Sequence, residues 1–540
     1  MTELSPKKIK ITNLIRCTAM TSVGLLVYGG SLRNSFVWDD EEQLLNNTVV
    51  QSLDNLGRLF SSSSFNSGGA TGLLGIYYKP LMLAAYAALW SMFGANPIAF
   101  HAFQLLLHCM SSILLAVFLS AFFSETLAWL LAMVFLVHPL NAECVLYVAD
   151  LQDTLFFFFG ILGMVALAKM RNERGGARAL IVSACLLLSL LSKESGVLFV
   201  ATAATYELLI RPRGQASNAL CVGLAMTTAA YAGLRFEYAG LGLASGHLQP
   251  ITLASFPERL LTMPKIFYFY ALGFVFPKDL AIAQQWIIRQ WSWKDVGLPL
   301  LSDFFIFGAI AVLVKRAGSR RAVFFALWVF FGLALHAQVF PLDLTVADRW
   351  FYFPMAGLLG LIGIGWELVR AYLPTSLPAK TVSGLAAAMV IATLAGRSYS
   401  RSGDWKDGLT LFSRDVALNP NAFDLQNNAG VELFRAGDIR AAKEHFEISV
   451  QLAPQWWTNW SNLGAVYERF DDEGRAEKAY RRSIESGVYY LAYENLAKLL
   501  IRQHRYGEAL DFLQTQALPI FPNNQSLVAM RQYAFESNSK

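Results

Sequence analysis

Long runs of apolar residues alternate with short polar connections over the first 396 residues of the chain. A helix needs about 20 apolar residues to cross a hydrocarbon core, and fewer where it is buried inside a bundle. The pattern predicts an all-α membrane domain, a polytopic bundle of about eleven transmembrane helices. The predicted crossings are 11–30, 98–122, 127–137, 154–170, 180–191, 197–210, 220–236, 300–314, 323–340, 353–369 and 381–394.

Two further apolar segments fit more than one arrangement. The run 80–93 follows a Tyr-Tyr-Lys triplet and carries Trp90 near its end, so it suits a helix in the membrane interface as well as a crossing. The run 260–276 contains Pro264, which is typical of a re-entrant or broken helix that lines a cavity. The sequence leaves open whether either segment crosses the membrane.

Charged residues replace aliphatic ones after residue 396, which predicts a soluble domain over 397–540. Gly430, Gly464 and Ala497 recur at about the 34-residue period of tetratricopeptide repeats. The stretch 460–467 matches the W-x2-L-G-x2-Y signature of these repeats. We therefore predict a tetratricopeptide α-solenoid. Its predicted parts are repeats at 423–456, 457–489 and 490–522 and a capping helix at 523–537.

Composition agrees with a membrane protein, because 55% of the residues are hydrophobic and only 15% are charged. The net charge is +5 and no basic block occurs, which argues against a nucleic-acid partner. The five cysteines lie in or beside apolar segments without CxxC spacing. This distribution predicts buried thiols rather than a disulfide framework or a zinc site.

The distribution of Lys and Arg predicts the orientation of the bundle. Basic residues cluster in three short connections, at 171–178, 211–213 and 315–321. By the positive-inside rule these connections and the N-terminus share the cytoplasmic side. The connections that hold the acids then face outward. An odd number of crossings places the repeats on that outer face as well.

Four consecutive carboxylates, residues 39–42, directly follow the first predicted crossing. A solvated loop beside the aromatic interface anchor Trp38 explains them without any function. Alternatively, one carboxylate acts as a general base, or a pair binds a divalent cation. Three other outward clusters offer cations suited to a phosphate, although each also has a plain structural explanation. They are His138 with Glu143, Asp150 and Asp153; Lys193 with Glu194; and Asp348 with Arg349.

The order of these motifs resembles the transmembrane and tetratricopeptide-repeat-containing protein O-mannosyltransferases (TMTC-like) and their bacterial relatives. The similarity covers nearly the whole chain, and the order is more specific than any single motif. The matching stretches are Phe36-Val37-Trp38-Asp39-Asp40 with Asn46-Asn47, Tyr78-Lys79-Pro80-Leu81, Asn96-Pro97 with Phe100-His101, His138-Pro139 with Glu143, Lys193-Glu194, and Asp348-Arg349-Trp350-Phe351-Tyr352-Phe353-Pro354.

The resemblance implies a glycosyltransferase of the GT-C fold over 1–396, with an outward loop at 31–79. It implies an inverting transfer of mannose, or another hexose or pentose, from a polyprenyl-phosphate donor to Ser or Thr hydroxyls of a protein acceptor. Asp39 or Asp40 would be the base, and Glu41 and Glu42 would be flanking solvated charge. A divalent cation such as Mg²⁺ or Mn²⁺, if one takes part, would lie on Asp39 and Asp40.

The same resemblance assigns the remaining site residues. The donor phosphate would be held by Lys79, Lys193, Arg349 and His138. The supporting acids would be Glu143, Asp153, Glu194 and Asp348. The protein acceptor would dock in the tetratricopeptide groove, and the membrane lipid would surround the bundle.

Alternatives remain open at the level of sequence. A GT-C transferase that moves a whole oligosaccharide, or acts on a glycolipid, would share these motifs. A membrane scaffold without enzymatic activity would need only the repeats. Short cytoplasmic connections favour a bacterial inner membrane with periplasmic repeats, the alternative being an endoplasmic reticulum membrane with lumenal repeats.

Overall fold

The computed structural model describes residues 6–61, 63–64, 77–170, 175–212, 217–242, 249–372 and 377–539. Within these ranges the chain is helical, with one isolated β-bridge between Gln284 and Val346. The predicted all-α class is therefore confirmed. Segment 65–76 of the predicted outward loop, and residues 171–174 and 213 of the predicted basic connections, lie outside the described residues.

Helices occupy all eleven predicted crossings and both of the uncertain segments. Helices of seven or more residues are numbered in chain order. Those of the N-terminal part are α1 (Pro6–Tyr28), α2 (Pro80–Phe93), α3 (Pro97–Leu119), α4 (Glu125–Val137), α5 (Leu151–Lys169), α6 (Gly175–Ser192), α7 (Val197–Leu209), α8 (Asn218–Ala232), α9 (Phe256–Val275), α10 (Leu298–Ala317), α11 (Arg320–Leu335), α12 (Tyr352–Arg370) and α13 (Leu377–Asp404).

The lengths of these helices agree with a multi-pass membrane protein. Among the described residues, six helices are long and apolar enough to cross a membrane, and seven if one bent pair is a single span. That pair, Glu125–Val137 and Pro139–Leu146, bends by 56°. Pro139 has no N–H and cannot continue the hydrogen-bond ladder of α4, so the chain turns there and carries Glu143 inward.

α9 differs from the broken helix that Pro264 suggested, because it runs unbroken from Phe256 to Val275. Proline is tolerated inside membrane helices, where neighbouring groups satisfy the freed carbonyl. Ser255 and Glu258 form a capping box that begins this helix. Its end lies beside the bend after α4, since His138 stacks on Phe274 with ring centroids 5.0 Å apart.

The C-terminal part is a series of helices that pack in consecutive pairs. They are α14 (Gly408–Leu418), α15 (Phe423–Arg435), α16 (Ile439–Leu452), α17 (Trp457–Arg469), α18 (Glu473–Ser486), α19 (Tyr490–Arg502), α20 (Tyr506–Phe512) and α21 (Gln525–Asn538). A Cβ atom on Gly430 would lie 2.7 Å from the ring of Phe446, and one on Gly464 would lie 2.6 Å from the ring of Tyr480. The small residues of the repeat pattern therefore let paired helices touch.

No break separates the two parts at residue 396, because α13 runs through this position to Asp404. Bonds near the junction hold α14, which precedes the first predicted repeat, against α13 and the bundle. Arg401 donates two hydrogen bonds to Asp415, at 2.8 and 3.0 Å, and Asp415 also accepts from the backbone N–H of Ile282 at 2.8 Å. The residue ranges of the repeats and of the capping helix stay a prediction.

Candidate functional site

A cavity of about 630 Å³ lies where the 38–46 loop, the bends of the bundle and the repeats meet. The wall on the side of the bundle is formed by Trp38, Asp39, Glu41, Glu42, Gln43, Asn46, Tyr77, Lys79, Tyr147, Ala149, Asp150, Gln152, Gln249, Gln285, Asp343, Leu344 and Arg349. The wall on the side of the repeats includes Phe412, Asp424, Asn427, Asn428, Arg435, Trp456, Trp457, Asn459, Asn462 and Tyr489.

Asp39 lies on the wall of this cavity and is held by its neighbours on both sides. Trp38 adopts a φ of 53°, a left-handed conformation that is rare for a bulky residue. Its ring stacks on Tyr147 with centroids 5.9 Å apart and meets the edge of Phe412 at 6.2 Å. The backbone N–H of Asp39 donates to the Tyr147 hydroxyl oxygen at 3.2 Å. Aromatic packing thus offsets the backbone strain and fixes the position of Asp39.

The environment of Asp39 suits a general base at neutral pH. Burial raises the pKa of its carboxyl from the ordinary 3.8 to about 6. The Tyr147 hydroxyl and the positive charges of Arg349 and Lys79 act in the opposite direction. A carboxylate with a pKa near 6 is ionised at pH 7 but binds a proton more readily than an ordinary aspartate.

Asp40 has a different role, because both oxygens of its carboxyl group accept hydrogen bonds from the backbone. One accepts from the N–H of Val37 at 2.9 Å and the other from the N–H of Ala149 at 2.6 Å. The side chain is buried and does not line the cavity. Asp40 therefore ties the 38–46 loop to the connection between α4 and α5, and Asp39 is the better candidate for the base.

Replacement of Asp40 tests this division of roles. We expect Asp40→Asn to lower the free energy of unfolding by about 1–3 kcal/mol, because the amide group would face a backbone N–H donor that it cannot satisfy. Thermal unfolding of the purified protein measures the loss. Asp39→Asn is the matched control and should unfold no earlier than the wild type. Equal stability of the Asp40→Asn variant would contradict the structural role.

Glu41 is not the solvated charge that the sequence suggested. Both of its carboxylate oxygens accept hydrogen bonds from the guanidinium of Arg435 on α15, at 2.6 and 2.5 Å. Arg435 also donates to Glu432 at 3.0 Å. This bidentate pair joins the 38–46 loop to the repeats at the edge of the cavity.

Lys79 presents a cation to the cavity from just before α2. Its side chain is buried, and its Nζ lies over the ring of Tyr77 at 4.6 Å from the centroid. Burial lowers the pKa of the Lys79 ammonium, against the opposing negative charge of Glu194. Within the described ranges, no carboxylate lies within 4 Å of this ammonium. The charge of Lys79 is therefore available to an anionic ligand.

Arg349 reaches the same cavity but is already paired. Its guanidinium forms a salt bridge with Glu143 and lies 3.5 Å from a carboxylate oxygen of Asp150. Its backbone N–H donates to the second oxygen of Glu143 at 3.1 Å. All three side chains are nearly buried, so these contacts fix the segment before α12 against the bend after α4.

Lys193 and Glu194 are neighbours in the chain, but they pair with different residues, and both lie outside the cavity. Lys193 donates to both carboxylate oxygens of Asp153, at 2.7 and 2.9 Å. Glu194 pairs with Arg235 at 2.7 Å and accepts from the backbone N–H of Tyr78 at 3.1 Å. None of Lys193, Glu194 and Asp153 lines the cavity. Through Tyr78, Glu194 supports the backbone beside Lys79.

His138 and Asp348 lie behind the cavity wall. His138 accepts from the N–H of Leu140 at 3.2 Å through one ring nitrogen, and the other lies 3.0 Å from the carbonyl of Phe274. Both nitrogens are therefore used to hold the bend. Asp348 is buried, and one of its carboxylate oxygens has no hydrogen-bond partner among the described residues. Contact of either side chain with a donor phosphate stays a prediction.

The repeats contribute aromatic rings and amide groups to the opposite wall. The rings of Trp456 and Trp457 stack with centroids 4.7 Å apart. Asn462 donates to Asn427 at 2.9 Å, which links two successive repeats. On this wall, the amide nitrogen of Asn428 and the amide oxygen of Asn459 have no partner in the described part of the chain. Such a surface can bind an extended peptide through amide hydrogen bonds and apolar contact.

A metal ion shared by Asp39 and Asp40 does not fit this geometry. Both carboxylate oxygens of Asp40 are already bound to backbone N–H groups. Over the ranges that the structure describes, no group of three or more His, Cys, Asp or Glu side chains could hold a metal ion.

Several residues of the site were not singled out as site residues from the sequence. Asp150 and Asp343 line the cavity, and the Tyr77 hydroxyl lies 3.3 Å from a carboxylate oxygen of Asp343. Asp150 had been noted in the cluster around His138 without a role, and for Asp343 its location in an outward connection was the only signal. Arg235 carried a stronger signal in the sequence, since a charged residue within an apolar run rarely lacks a function or a partner.

No family model matches the chain, but sequence relatives cover most of it. The protein O-mannosyl-transferase TMTC3 of Mus musculus is 23% identical over 96% of this chain and 61% of its own length. The human protein O-mannosyl-transferase TMTC4 is 24% identical over 79% of this chain and 64% of its own. Over most of its length, the chain is similar in sequence to proteins named TMTC protein O-mannosyl-transferases. The resemblance seen in the motifs is thereby confirmed.

The chain spans about 61% of the length of the TMTC3 relatives that it matches. Among solved structures, ArnT from Cupriavidus metallidurans bound to undecaprenyl phosphate aligns over 96% of this chain and 88% of its own. The TM-score is 0.43 and the sequence identity is 12%, a likeness too slight to support an argument about this chain.

Proposed function

We propose that this chain is a GT-C-type membrane glycosyltransferase that transfers one sugar from a polyprenyl-phosphate donor to Ser or Thr hydroxyls of a protein acceptor. The supporting observation is the shared cavity, in which a base candidate on the bundle faces an amide and aromatic wall on the repeats. Mannose is the first sugar to test, because the relatives are named protein O-mannosyl-transferases.

The proposed reaction is a single inverting displacement. The acceptor hydroxyl oxygen attacks the anomeric carbon, and the new C–O bond forms as the bond from that carbon to the phosphate oxygen breaks. The hydroxyl proton passes to the Asp39 carboxylate, and the electron pair of the broken bond leaves with the polyprenyl phosphate. Asp40 acts as a positioning residue, because its two backbone contacts hold the turn that carries Asp39.

Negative charge on the departing phosphate requires a fixed cation. Lys79 fits this role because it lines the cavity and no carboxylate of the described residues pairs with it. Arg349 supplies a second positive group, held in place by Glu143 and Asp150. In this proposal Lys193 and His138 support the wall from behind, while Lys79 and Arg349 face the donor.

Lys79→Gln tests the phosphate assignment. We expect the apparent KM for the lipid donor to rise about tenfold or more, because a hydrogen bond to a charged group is lost, while the KM for the acceptor peptide changes little. Steady-state kinetics with each substrate varied in turn measures both effects. Lys406→Gln, an exposed cation between α13 and α14, is the matched control. An unchanged donor KM in Lys79→Gln would contradict the assignment.

A donor assay distinguishes the proposal from its rivals. Purified protein in nanodiscs is supplied with polyprenyl-phosphate mannose or with a lipid-linked oligosaccharide, and a Ser/Thr-rich peptide serves as acceptor. Peptide carrying one hexose, formed only from the first donor, supports the proposal. Transfer of the whole oligosaccharide would favour the rival transferase, and no transfer from any sugar donor would favour the scaffold.

The proposal sets the cavity on the outer side of the membrane, as the positive-inside rule requires. A bacterial inner membrane with periplasmic repeats fits, and an endoplasmic reticulum membrane with lumenal repeats would give the same orientation. Protease digestion of sealed inverted vesicles tests this: the repeats should be protected until detergent is added.

A further inference from the structure

A second cavity lies at the opposite end of the bundle from Asp39, where α3 and α7 end and α11 begins. Its volume is about 390 Å³. α7 begins close to Glu194, which supports the backbone beside Lys79, and it ends at the second cavity. The residues that line this basic cavity are Ala121, Phe122, Leu209, Ile210, Arg211, Pro212, Arg320 and Arg321.

Three guanidinium groups line the basic cavity, and nearby carboxylates neutralise them only in part. Arg211 pairs with Glu207 at 2.7 Å. The same carboxylate also pairs with the buried Arg178 at 2.5 Å, so one negative charge serves two positive groups. Arg321 lies 3.4 Å from Glu367 and donates to the carbonyl of Phe122 at 2.7 Å.

Arg320 is exposed and forms no ion pair with any of the described residues. It begins α11 next to Arg321, and both side chains line the same cavity. The site thus holds a surplus of positive charge with one guanidinium fully available. Planar guanidinium groups bind the oxygens of a phosphate by paired hydrogen bonds.

The remaining wall of the basic cavity is apolar. Phe122 is buried against Tyr206 and Phe324, with ring centroids 6.1 and 5.8 Å apart, and forms a rigid floor. Leu209 and Ile210 lie at the end of α7, next to Leu208, which is 72% exposed on the outside of the bundle. An apolar exit beside a cationic cluster suits a ligand with a phosphate head and an acyl chain.

We propose that the basic cavity binds the phosphate of an anionic phospholipid from the membrane leaflet opposite the cavity that holds Asp39. The phosphate would lie between Arg320, Arg321 and Arg211, and the first part of an acyl chain would pass over Leu209 and Leu208. Such a lipid would join the ends of α3, α7 and α11, which all contribute to this cavity.

Native mass spectrometry of the full chain released from detergent tests the proposal. We expect phosphatidylglycerol to bind in preference to phosphatidylcholine of the same chain length. Arg320→Gln should weaken phosphatidylglycerol binding about fivefold, as expected for removing one basic contact. Arg320→Gln combined with Arg321→Gln should weaken it further.

Arg316→Gln is the matched control, since Arg316 is exposed at the end of α10, four residues before Arg320, and does not line the cavity. It should leave binding unchanged. An equal loss of phosphatidylglycerol binding in Arg316→Gln would show that the lipid is attracted only by the positive charge of the surface, and it would overturn the proposal. Equal binding of phosphatidylcholine would also overturn it, as would a preference for polyprenyl phosphate or binding of soluble glycerol phosphate as tight as that of the lipid. Arg320→Gln breaks no bond in the described structure, so it tests binding without a loss of folding.

Discussion

Asp39→Asn is expected to lower the rate of sugar transfer by about 100- to 10,000-fold, the usual contribution of a general base. The amide has nearly the shape of the carboxylate but cannot accept the proton of the attacking hydroxyl. Turnover of a Ser/Thr-rich acceptor peptide with the polyprenyl-phosphate donor measures the loss. Asp424→Asn is the matched control, because Asp424 lines the same cavity on the wall of the repeats and burial raises its pKa to about 6 as well. That variant should keep most of its activity, and equal losses in the two would contradict the choice of Asp39.

The pH dependence of transfer should follow the same carboxyl group. Because the pKa of Asp39 is about 6, kcat/KM should rise with pH up to about 6 and then level off.

The contribution of Asp39 to the free energy of unfolding should change with pH in the opposite direction. The folded protein holds this proton more tightly than the unfolded chain, so ionisation of Asp39 costs stability as the pH rises from about 4 to about 6. Asp39→Asn should therefore retain or raise the midpoint of unfolding at pH 7, and a marked fall would indicate a structural role.

Arg349→Met is expected to lower the free energy of unfolding by about 3–5 kcal/mol. The reason is that the substitution leaves the carboxylates of Glu143 and Asp150 buried without their cation. Transfer should also fall, because a positive group is lost from the cavity wall. Chemical or thermal unfolding measures the first effect, and the peptide assay measures the second.

A double variant separates these two effects of Arg349. Arg349→Met with Glu143→Gln removes one of the stranded charges and should regain part of the lost stability. Transfer should stay low, since the cation at the cavity remains absent. If the double variant recovers activity along with stability, Arg349 acts only through folding. The proposal that Arg349 contacts the donor phosphate would then be wrong. If the double variant is no more stable than the single one, the Glu143 pair is not the source of the loss.

The sequence was a good guide to the helices and a partial guide to the site. Apolar runs and the repeat spacing arise from local periodicity, so every predicted crossing is helical and the paired helices of the repeats meet at Gly430 and Gly464. Asp39 could be located as part of an acidic run. Its separation from Asp40 could not, because the φ of Trp38 and the contact with Ala149 decide which way each carboxylate points.

Pairs of residues that lie far apart in the chain were the second feature of the site that could not be predicted from the sequence. Lys193 was expected to face a phosphate, but it pairs with Asp153, forty positions earlier, and lies outside the cavity. Glu41 was expected to be solvated, but it binds Arg435 from the repeats. Neither partner carries a local signal, since each depends on how helices and domains pack. The wall that Trp456 and Asn462 contribute could not be placed for the same reason.

The unbroken course of α13 through residue 396 has a consequence for the timing of modification. If the repeats swung away from the bundle, the partly exposed pair between Glu41 and Arg435 would break, and the bond from the backbone of Ile282 to Asp415 holds α14 in place as well. These contacts limit how far the cavity beside Asp39 can open, and its volume of about 630 Å³ is that of a small-molecule pocket. Under the proposed function, a hydroxyl inside a folded domain would not reach Asp39. The sugar would be added before the acceptor folds, or on a segment that stays extended throughout its life.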